Sequence, residues 1–223
     1  MQGLMMDRPL LVSTLLQHAE ATYPNTEIVS RRCEGDIHRY TMKDAASRAR
    51  KVANLLTRLD IQDSDRVATL AWNNYRHFEL YYGISGFGAV LHTINPRLFA
   101  EQLVYIINHA EDRYIFVDLT FVPLLEAILP HIGNVEGFII LCDEDKMPET
   151  KLPNAQCYET LLAAETDEFE WPEFPETKGA SMCYTSGTTG NPKGVLYSHR
   201  STCLHAFASV GEEVMGLSSS SCF

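Results

Sequence analysis

The chain has 223 residues, of which 45% are hydrophobic, and it carries a formal net charge of −11 at pH 7. This length allows one large domain or two small ones, with enough apolar residues for a sizeable core. The acidic balance argues against nucleic acid or an anionic membrane as a partner. No apolar run reaches about 18 residues, and no basic region opens the N-terminus, so the sequence predicts neither an integral membrane protein nor a signal peptide.

Helices alternating with strands are predicted along most of the chain. Thr41 followed by Asp44 resembles a capping box, and apolar residues follow at helical spacing from Met42 to Leu59. Residues 75–87 combine aromatic side chains with two glycines that allow close packing, and helices are predicted at 100–110 and 121–129. Short apolar runs predict strands at 66–71, 89–93, 114–117 and 135–142. This order predicts an α/β fold with a largely parallel sheet flanked by helices.

Acidic residues and prolines dominate residues 165–176. This composition favours an extended, solvated connection over a functional acidic patch. We therefore divide the chain into an α/β subdomain with an acidic linker, residues 1–176, and a second segment, residues 177–223.

The second segment contains the most informative stretch of the chain, because residues 184–194 read Tyr-Thr-Ser-Gly-Thr-Thr-Gly-Asn-Pro-Lys-Gly. Glycines let the backbone approach a ligand closely, and successive backbone N–H groups in such a turn form an anion-binding concavity. Hydroxyl donors and a lysine complete the groups needed to hold a polyphosphate. The candidate binding residues are Thr185, Ser186, Gly187, Thr188, Thr189, Gly190 and Lys193.

The surroundings of this stretch favour a phosphate ligand. No Asp or Glu occurs from Thr177 to Gly211, where the average acid density of the chain predicts about four or five. A Gly/Ser/Thr linker would have a similar composition, but the largely apolar flanks predict a loop between two short buried strands. A helix is predicted after the second strand, at about residues 201–215.

Two other kinds of site fit the sequence poorly. A Walker A phosphate loop aligned on Gly187 and Lys193 would place Pro192 at its second glycine and Gly194 at its magnesium-binding hydroxyl residue. The eight histidines show no metal-ligand spacing, and no serine lies in a GxSxG motif, which argues against a metal cage and a hydrolase triad. The six cysteines lack CxxC spacing, which favours reduced thiols and a cytoplasmic location.

Residues 184–194 resemble the phosphate-binding signature of the adenylate-forming enzymes, which include acyl-CoA synthetases, luciferases and the adenylation domains of peptide synthetases. That pattern is an aromatic residue followed by [Thr/Ser]-Ser-Gly-[Thr/Ser]-Thr-Gly-x-Pro-Lys-Gly, and every position matches. Residues 65–68, 89–98 and 197–200 are similar to segments of medium- and long-chain fatty acyl-CoA synthetases. The resemblance extends from about Pro9 to Leu217.

The resemblance implies an ATP-dependent fatty acid–CoA ligase, with ATP, Mg²⁺ and coenzyme A as the small molecules it uses. It implies that residues 185–190 cradle the β- and γ-phosphates, that Lys193 is catalytic by offsetting charge on the departing pyrophosphate, and that Thr185 approaches Mg²⁺. His199 matches a Ser-His pair of the family and is expected to support the site by hydrogen bonding. The resemblance is compatible with a homodimer of the full-length enzyme.

Two departures from the family give further expectations. Asp60 and Ser64 stand where relatives usually carry glycine, which should be a mild change because Asp tolerates left-handed backbone. The later motifs of the family and its C-terminal lid domain are absent, so the chain is expected to be an incomplete N-terminal domain that is inactive alone. Another adenylate-forming ligase and a non-catalytic phosphate-binding module are the alternatives.

Overall fold

The computed structural model describes residues 5–185, 190–211 and 213–217. Its strands are β1 Glu27–Arg31, β2 Ile37–Thr41, β3 Arg66–Leu70, β4 Val90–Thr93, β5 Tyr114–Asp118, β6 Gly137–Leu141, β7 Gln156–Cys157, β8 Gly179–Thr185 and β9 Lys193–Ser198. Its α-helices are α1 Val12–Thr22, α2 Met42–Arg58, α3 Tyr75–Phe87, α4 Ala100–Ala110, α5 Val122–Ile128, α6 Tyr158–Ala163 and α7 His199–Ser209.

Seven of the strands form one sheet in the order β7-β6-β5-β3-β4-β8-β9, and β1 and β2 form a separate antiparallel hairpin. Within the large sheet, only the β8–β9 pair is antiparallel among the described strands. Helices cover both faces of the sheet, as the helical and strand alternation predicts. The predicted α/β class, with a largely parallel sheet flanked by helices, is confirmed.

The core consists of two apolar layers separated by the sheet. Alternate strand residues point to opposite faces, so Ala68 and Ile115 face helices α4 and α5, whereas Val67 and Phe116 face helices α2, α3 and α6. Each layer is built mainly from fully buried Leu, Ile and Val side chains. The central strands therefore carry near-continuous apolar runs, which explains why they could be located from the sequence.

Most predicted elements are found close to their predicted bounds. The capping box at the start of α2 is present: Thr41 Oγ1 accepts a hydrogen bond from the Asp44 N–H at 3.2 Å, and Asp44 Oδ2 accepts one from the Thr41 N–H at 2.9 Å. Asp60 and Ser64 adopt left-handed backbone, with φ of 56° and 65°. This conformation is the one that glycine adopts most readily.

Two expectations about the second segment need correction. Helix α7 begins at His199, because the Ser198 hydroxyl caps it by accepting from the Ser201 N–H at 3.1 Å, and it ends at Ser209, after which the Gly211 carbonyl accepts hydrogen bonds of a separate turn. Strand β9 is not buried, since Leu196 and Tyr197 are 60% and 44% exposed. β9 lies at an edge of the sheet, where one side has no neighbouring strand among the described residues.

None of the helices in the described part of the chain is both long and apolar enough to span a bilayer.

Candidate functional site

The candidate site lies where β8 and β9 join. Of the predicted binding residues, Thr185 is the last residue of β8 and Lys193 is the first residue of β9. The two are register partners in the antiparallel pair, so the hairpin brings the hydroxyl residue and the cation together at the mouth of the loop. Both residues are exposed, and a ligand can therefore reach them.

The structure describes only some of the remaining loop residues. Gly190 has a φ of 102°, a conformation that side chains disfavour, and a Cβ placed on it would contact nothing within 4 Å. The glycine is thus required for its backbone conformation rather than for close packing. Pro192 is buried just before Lys193 and anchors the second end of the loop. Ser186, Gly187, Thr188 and Thr189 lie outside the described residues.

A strand, and not a helix, begins at Lys193. In a Walker A loop the lysine opens a helix whose N-terminus faces the phosphates. The β8–β9 hairpin therefore excludes that type of phosphate loop here, in agreement with Pro192 and Gly194 at the wrong positions of its motif.

Charge is distributed unevenly around the loop. Of the three cations in the acid-free window, Lys178 forms an ion pair with Asp63 and Arg200 forms one with Glu176. Lys193 pairs with no carboxylate among the residues that the structure describes. Its charge is thus directed to solvent at the loop mouth, where it can act on an anionic ligand.

A cleft opens next to this loop, at the carboxyl ends of β3, β4 and β8. Its lining includes His77, Thr93, Arg97, Cys183 and Tyr184. Strands of a parallel sheet present their carboxyl ends at one edge, and ligands of such sheets bind there. The cleft extends to Tyr184, the residue that directly precedes Thr185.

The usual ligand crevice of a doubly wound sheet is covered in this protein. The chain moves from β3 to β4 on one side and places β5 on the other side of β3, so the switch point lies between β3 and β5. There, Asp118 is fully buried and accepts hydrogen bonds from the Trp72 N–H at 2.7 Å and the Asn74 amide at 3.3 Å. Burial raises the pKa of Asp118 to about 6.

The turn of the β1–β2 hairpin packs over this switch point. Cys33 lies 3.8 Å from the Thr120 hydroxyl, and Glu34 forms a buried ion pair with Arg76 of α3, with 2.8 Å between Oε1 and Nη1. The hairpin leaves the region beside β4 and β8 as the accessible part of the carboxyl edge. This exclusion supports the location of the site at the β8–β9 loop.

The sequence predicts that His199 supports the site by hydrogen bonding, whereas its described side-chain hydrogen bond lies at the junction of α1 and α7 and not at the loop mouth. His199 is fully buried, and its Nδ1 accepts a hydrogen bond from the Val12 N–H at 3.1 Å. Burial and the nearby Lys178 charge lower the pKa of His199 to about 4, so the imidazole is neutral at pH 7. It joins α1 to the start of α7 and has no contact with the loop mouth among the described residues.

A group of side chains around Tyr184 was not predicted from the sequence. Tyr184 Oη and His109 Nδ1 are 2.7 Å apart, and the ring of His92 lies 5.1 Å from that of Tyr184. His92 in turn pairs with Asp112 at 2.8 Å, with both side chains fully buried. Tyr184 is 75 residues from His109 in the sequence, so no local pattern indicates the contact.

Comparison with known proteins shows the family of this chain. The family model of the AMP-binding enzymes matches residues 16–220. The chain is 50% identical over 218 residues to a 3-methylmercaptopropionyl-CoA ligase of Ruegeria lacuscaerulensis. The aligned region covers 98% of this chain and 40% of that protein. The chain is also 44% identical over 218 residues to a medium-chain-fatty-acid–CoA ligase of Ectopseudomonas oleovorans, with the same coverage. The chain belongs to the AMP-binding enzyme family, and it spans about two fifths of the length of these relatives.

Solved structures share the fold. A Mycobacterium tuberculosis fatty acyl CoA synthetase superimposes with a TM-score of 0.74 at 24% identity, over 90% of this chain and 37% of that one. The anthranilate CoA ligase AuaEII, solved in complex with anthranoyl-AMP, gives a TM-score of 0.74 at 21% identity, over 87% of this chain and 36% of that one. At these identities the likeness shows the fold, which is that of adenylate-forming enzymes.

Proposed function

We propose that this chain is the phosphate-binding part of an AMP-forming acid–CoA ligase that activates a fatty acid or a related carboxylic acid. The observation that carries the proposal is the pairing of Thr185 with Lys193 at the mouth of a Gly/Thr-rich loop, in a chain of the AMP-binding enzyme family. The relatives that match over nearly all of this chain are CoA ligases by name.

The proposed reaction has two steps. A carboxylate oxygen of the acid attacks the α-phosphorus of ATP, the bond to the β-phosphate oxygen breaks, and pyrophosphate leaves. The sulfur of coenzyme A then attacks the acyl carbon of the adenylate, and AMP leaves as the thioester forms. Phosphoryl chemistry of this type asks mainly for positioning and for stabilisation of charge.

The residues of this chain supply those two contributions. In our proposal, Thr185, Ser186, Gly187, Thr188, Thr189 and Gly190 cradle the β- and γ-phosphates with hydroxyl and backbone N–H donors. Lys193 stabilises the charge that develops on pyrophosphate as it departs. Its side chain is exposed at the loop mouth and pairs with no acid of the described region, which leaves it available for that role.

Mg²⁺ fits this site as an ion held mainly by the phosphates. The described residues contain no group of three or more His, Cys, Asp or Glu side chains that could hold a metal ion. Mg²⁺ commonly keeps several waters and binds through substrate phosphates with few protein ligands. The exposed Thr185 hydroxyl is suited to be one such ligand, and the ion would neutralise phosphate charge when bound.

The names of the relatives indicate the class of acyl substrate. The relatives at 50% and 44% identity are named for 3-methylmercaptopropionate and for medium-chain fatty acids, and a relative at 42% identity from Thermus thermophilus is named for long-chain fatty acids. We infer an aliphatic carboxylic acid, and a substrate panel should include a thioether acid beside straight-chain acids of several lengths.

We also propose the division of the chain into an α/β subdomain with its acidic linker, residues 1–176, and a phosphate-loop segment with the following helix, residues 177–223. Because the chain corresponds to about 40% of its relatives, we infer that it forms no acyl-adenylate without the remaining part of the enzyme. A coupled pyrophosphate assay with the 223-residue chain tests this inference, and robust turnover would contradict it.

The function is tested by carboxylate-dependent ATP–pyrophosphate exchange in a full-length enzyme that contains this segment. Lys193→Ala should reduce exchange by about 10²-fold, the usual effect of removing one contact to developing charge. Lys151→Ala, which removes an exposed lysine remote from the loop, is the matched control. Unchanged exchange in the Lys193 variant would remove that residue from the mechanism, and absence of exchange in the unmodified enzyme would contradict the function.

A further inference from the structure

The side chain of Tyr184, which directly precedes the phosphate loop, is held from several directions. Its hydroxyl is 2.7 Å from Nδ1 of His109, a residue of the last turn of α4. The two rings meet edge to face, with 5.8 Å between centroids and 87° between planes. On its other side, His109 stacks on Tyr105 with centroids 5.2 Å apart. Helix α4 thus presents a stacked, oriented imidazole to the end of β8.

The opposite strand is shaped to receive the same ring. Gly194 is the register partner of Tyr184, and a Cβ placed on Gly194 would lie 3.2 Å from Cζ and 3.4 Å from Oη of Tyr184. Contacts of that length are closer than side chains normally tolerate, so the ring covers a position that only glycine fills comfortably. An aromatic side chain over a cross-strand glycine is a known way of fixing register in sheets.

The buried pair of His92 and Asp112 lies against the Tyr184 ring. His92 of β4 places its imidazole 5.1 Å from the Tyr184 ring, and its Nδ1 lies 2.8 Å and 3.0 Å from the two carboxylate oxygens of Asp112. Both side chains are fully buried, and burial raises the pKa of Asp112 while the contact with His92 lowers it. The pair fixes the plane of the His92 ring, and Tyr184 packs against a rigid surface instead of a mobile one.

These contacts hold Tyr184 and Gly194, the cross-strand pair next to the two ends of the loop. Tyr184 precedes Thr185, and its partner Gly194 follows Lys193, so a ring fixed between α4 and β4 also fixes the separation and orientation of both loop ends. Ordering a loop residue costs about 1–2 kcal/mol, so ends that are already fixed reduce the cost of binding a phosphate ligand.

We propose that His109 is a positioning residue for the phosphate loop: by holding the Tyr184 hydroxyl, it fixes Thr185 and Lys193 in the arrangement that receives the nucleotide phosphates. The nucleotide part of this statement rests on the proposed function, whereas the fixing of the strand ends does not. His109 is itself 75 residues from Tyr184 in the chain and does not belong to the loop motif.

The test uses four variants: His109→Ala, His109→Gln, Tyr184→Phe and the double variant His109→Ala/Tyr184→Phe. His131→Ala, which removes another exposed histidine whose described contact is through its backbone carbonyl, is the control. Hydrogen exchange of the amides in 183–185 and 193–195 is measured in the 223-residue chain. The Michaelis constant for ATP and the turnover number for carboxylate-dependent pyrophosphate exchange are measured in a full-length enzyme.

We expect His109→Ala and Tyr184→Phe each to accelerate exchange of the strand-end amides by about fivefold, the effect of one lost hydrogen bond. In the enzyme, each should raise the Michaelis constant for ATP by a similar factor while changing the turnover number less. The double variant should show less than the sum of the two single effects, because both substitutions remove the same hydrogen bond. His109→Gln, which keeps a hydrogen-bonding group, should restore most of the loss.

Amide hydrogen exchange and pyrophosphate exchange together distinguish failure of the positioning role from failure of the proposed function. Strand-end amides that exchange equally in His109→Ala and in the unmodified chain would overturn the positioning role, as would additive effects in the double variant. A full-length enzyme without carboxylate-dependent pyrophosphate exchange would overturn the proposed function, and the amide measurement would still decide whether His109 holds the loop ends.

Discussion

His199 and Val12 join the two ends of the described chain: the imidazole Nδ1 accepts a hydrogen bond from the Val12 N–H at 3.1 Å, across 187 positions of sequence. The contact holds the first turn of α1 against the start of α7. Because Nδ1 must be unprotonated to accept, the contact exists only while His199 is neutral. The stability of this junction therefore depends on pH.

The first prediction is loss of stability in acid. The pKa of His199 is lowered to about 4 in the folded protein, below its ordinary value of 6.5. His199 contributes its full stabilisation above pH 6.5, where its imidazole is neutral in both the folded and the unfolded protein. This stabilisation is lost as the pH falls from 6.5 through 4, because in that range the imidazole binds a proton in the unfolded protein before it does so in the folded protein. Between pH 7 and pH 4.5 this loss amounts to about 2 kcal/mol.

Urea unfolding at pH 7 and pH 4.5 checks this prediction, with His199→Gln as the comparison. Glutamine can accept from the Val12 N–H but does not titrate, so the variant should lose about 2 kcal/mol less than the unmodified chain. His18→Gln, an exposed site on α1, is the control. Equal losses in the unmodified chain and in His199→Gln would refute the assignment.

The second prediction concerns the ion cluster that fastens the β1–β2 hairpin. Arg76 is 1% exposed and contacts Glu34 at 2.8 Å, Asp143 at 2.6 Å and Glu159 at 2.9 Å. Arg76→Met leaves three carboxylates without their shared cation and should destabilise the fold by about 3–5 kcal/mol. Arg39→Ala breaks an exposed pair with Glu27 and should cost less than about 1 kcal/mol. Chemical denaturation measures the free energy of unfolding of both variants. Similar losses would show that the buried cluster stabilises the fold no more than the exposed pair does.

The third prediction concerns the contact between α2 and α3. A Cβ on Gly83 would lie 2.5 Å from Cγ1 of Val52 and 3.0 Å from the Ala49 carbonyl oxygen. Gly83→Ala should therefore destabilise the fold by about 1–3 kcal/mol through overpacking, despite the better helix propensity of alanine. Val52→Ala in the same chain should recover part of that loss. Gly133→Ala, at a position with open space, is the control, and thermal unfolding shows whether the two sites differ.

The fourth prediction tests the glycine beneath Tyr184. Gly194→Ala adds a methyl group 3.2 Å from Cζ of Tyr184, so the ring that contacts His109 must shift to make room for it. We expect a loss of about 1 kcal/mol in stability. Changing Tyr184 to valine in the same chain should remove the added cost, because the smaller side chain leaves the space open. A cost for Gly194→Ala that persists in the valine background would place the strain in the backbone instead.

Several parts of the protein were determined by local sequence. The Thr41–Asp44 capping box, the buried strands and the helix at 100–110 follow from the spacing of neighbouring residues, because capping, periodicity and burial on both faces act over a few positions. The motif that we propose to bind phosphate also has a local signal, since its glycines, hydroxyls and lysine lie within eleven consecutive residues.

Other parts were decided only by the tertiary structure. The strand order, the hairpin over the switch point and the contacts from Tyr184 to His109 and His92 join residues that are distant in sequence. A single histidine on α4 has no local signal of its role, because that role depends on which strand lies next to the helix. Sequence periodicity indicates the face that a residue occupies, whereas its partner is set by the packing of the whole sheet.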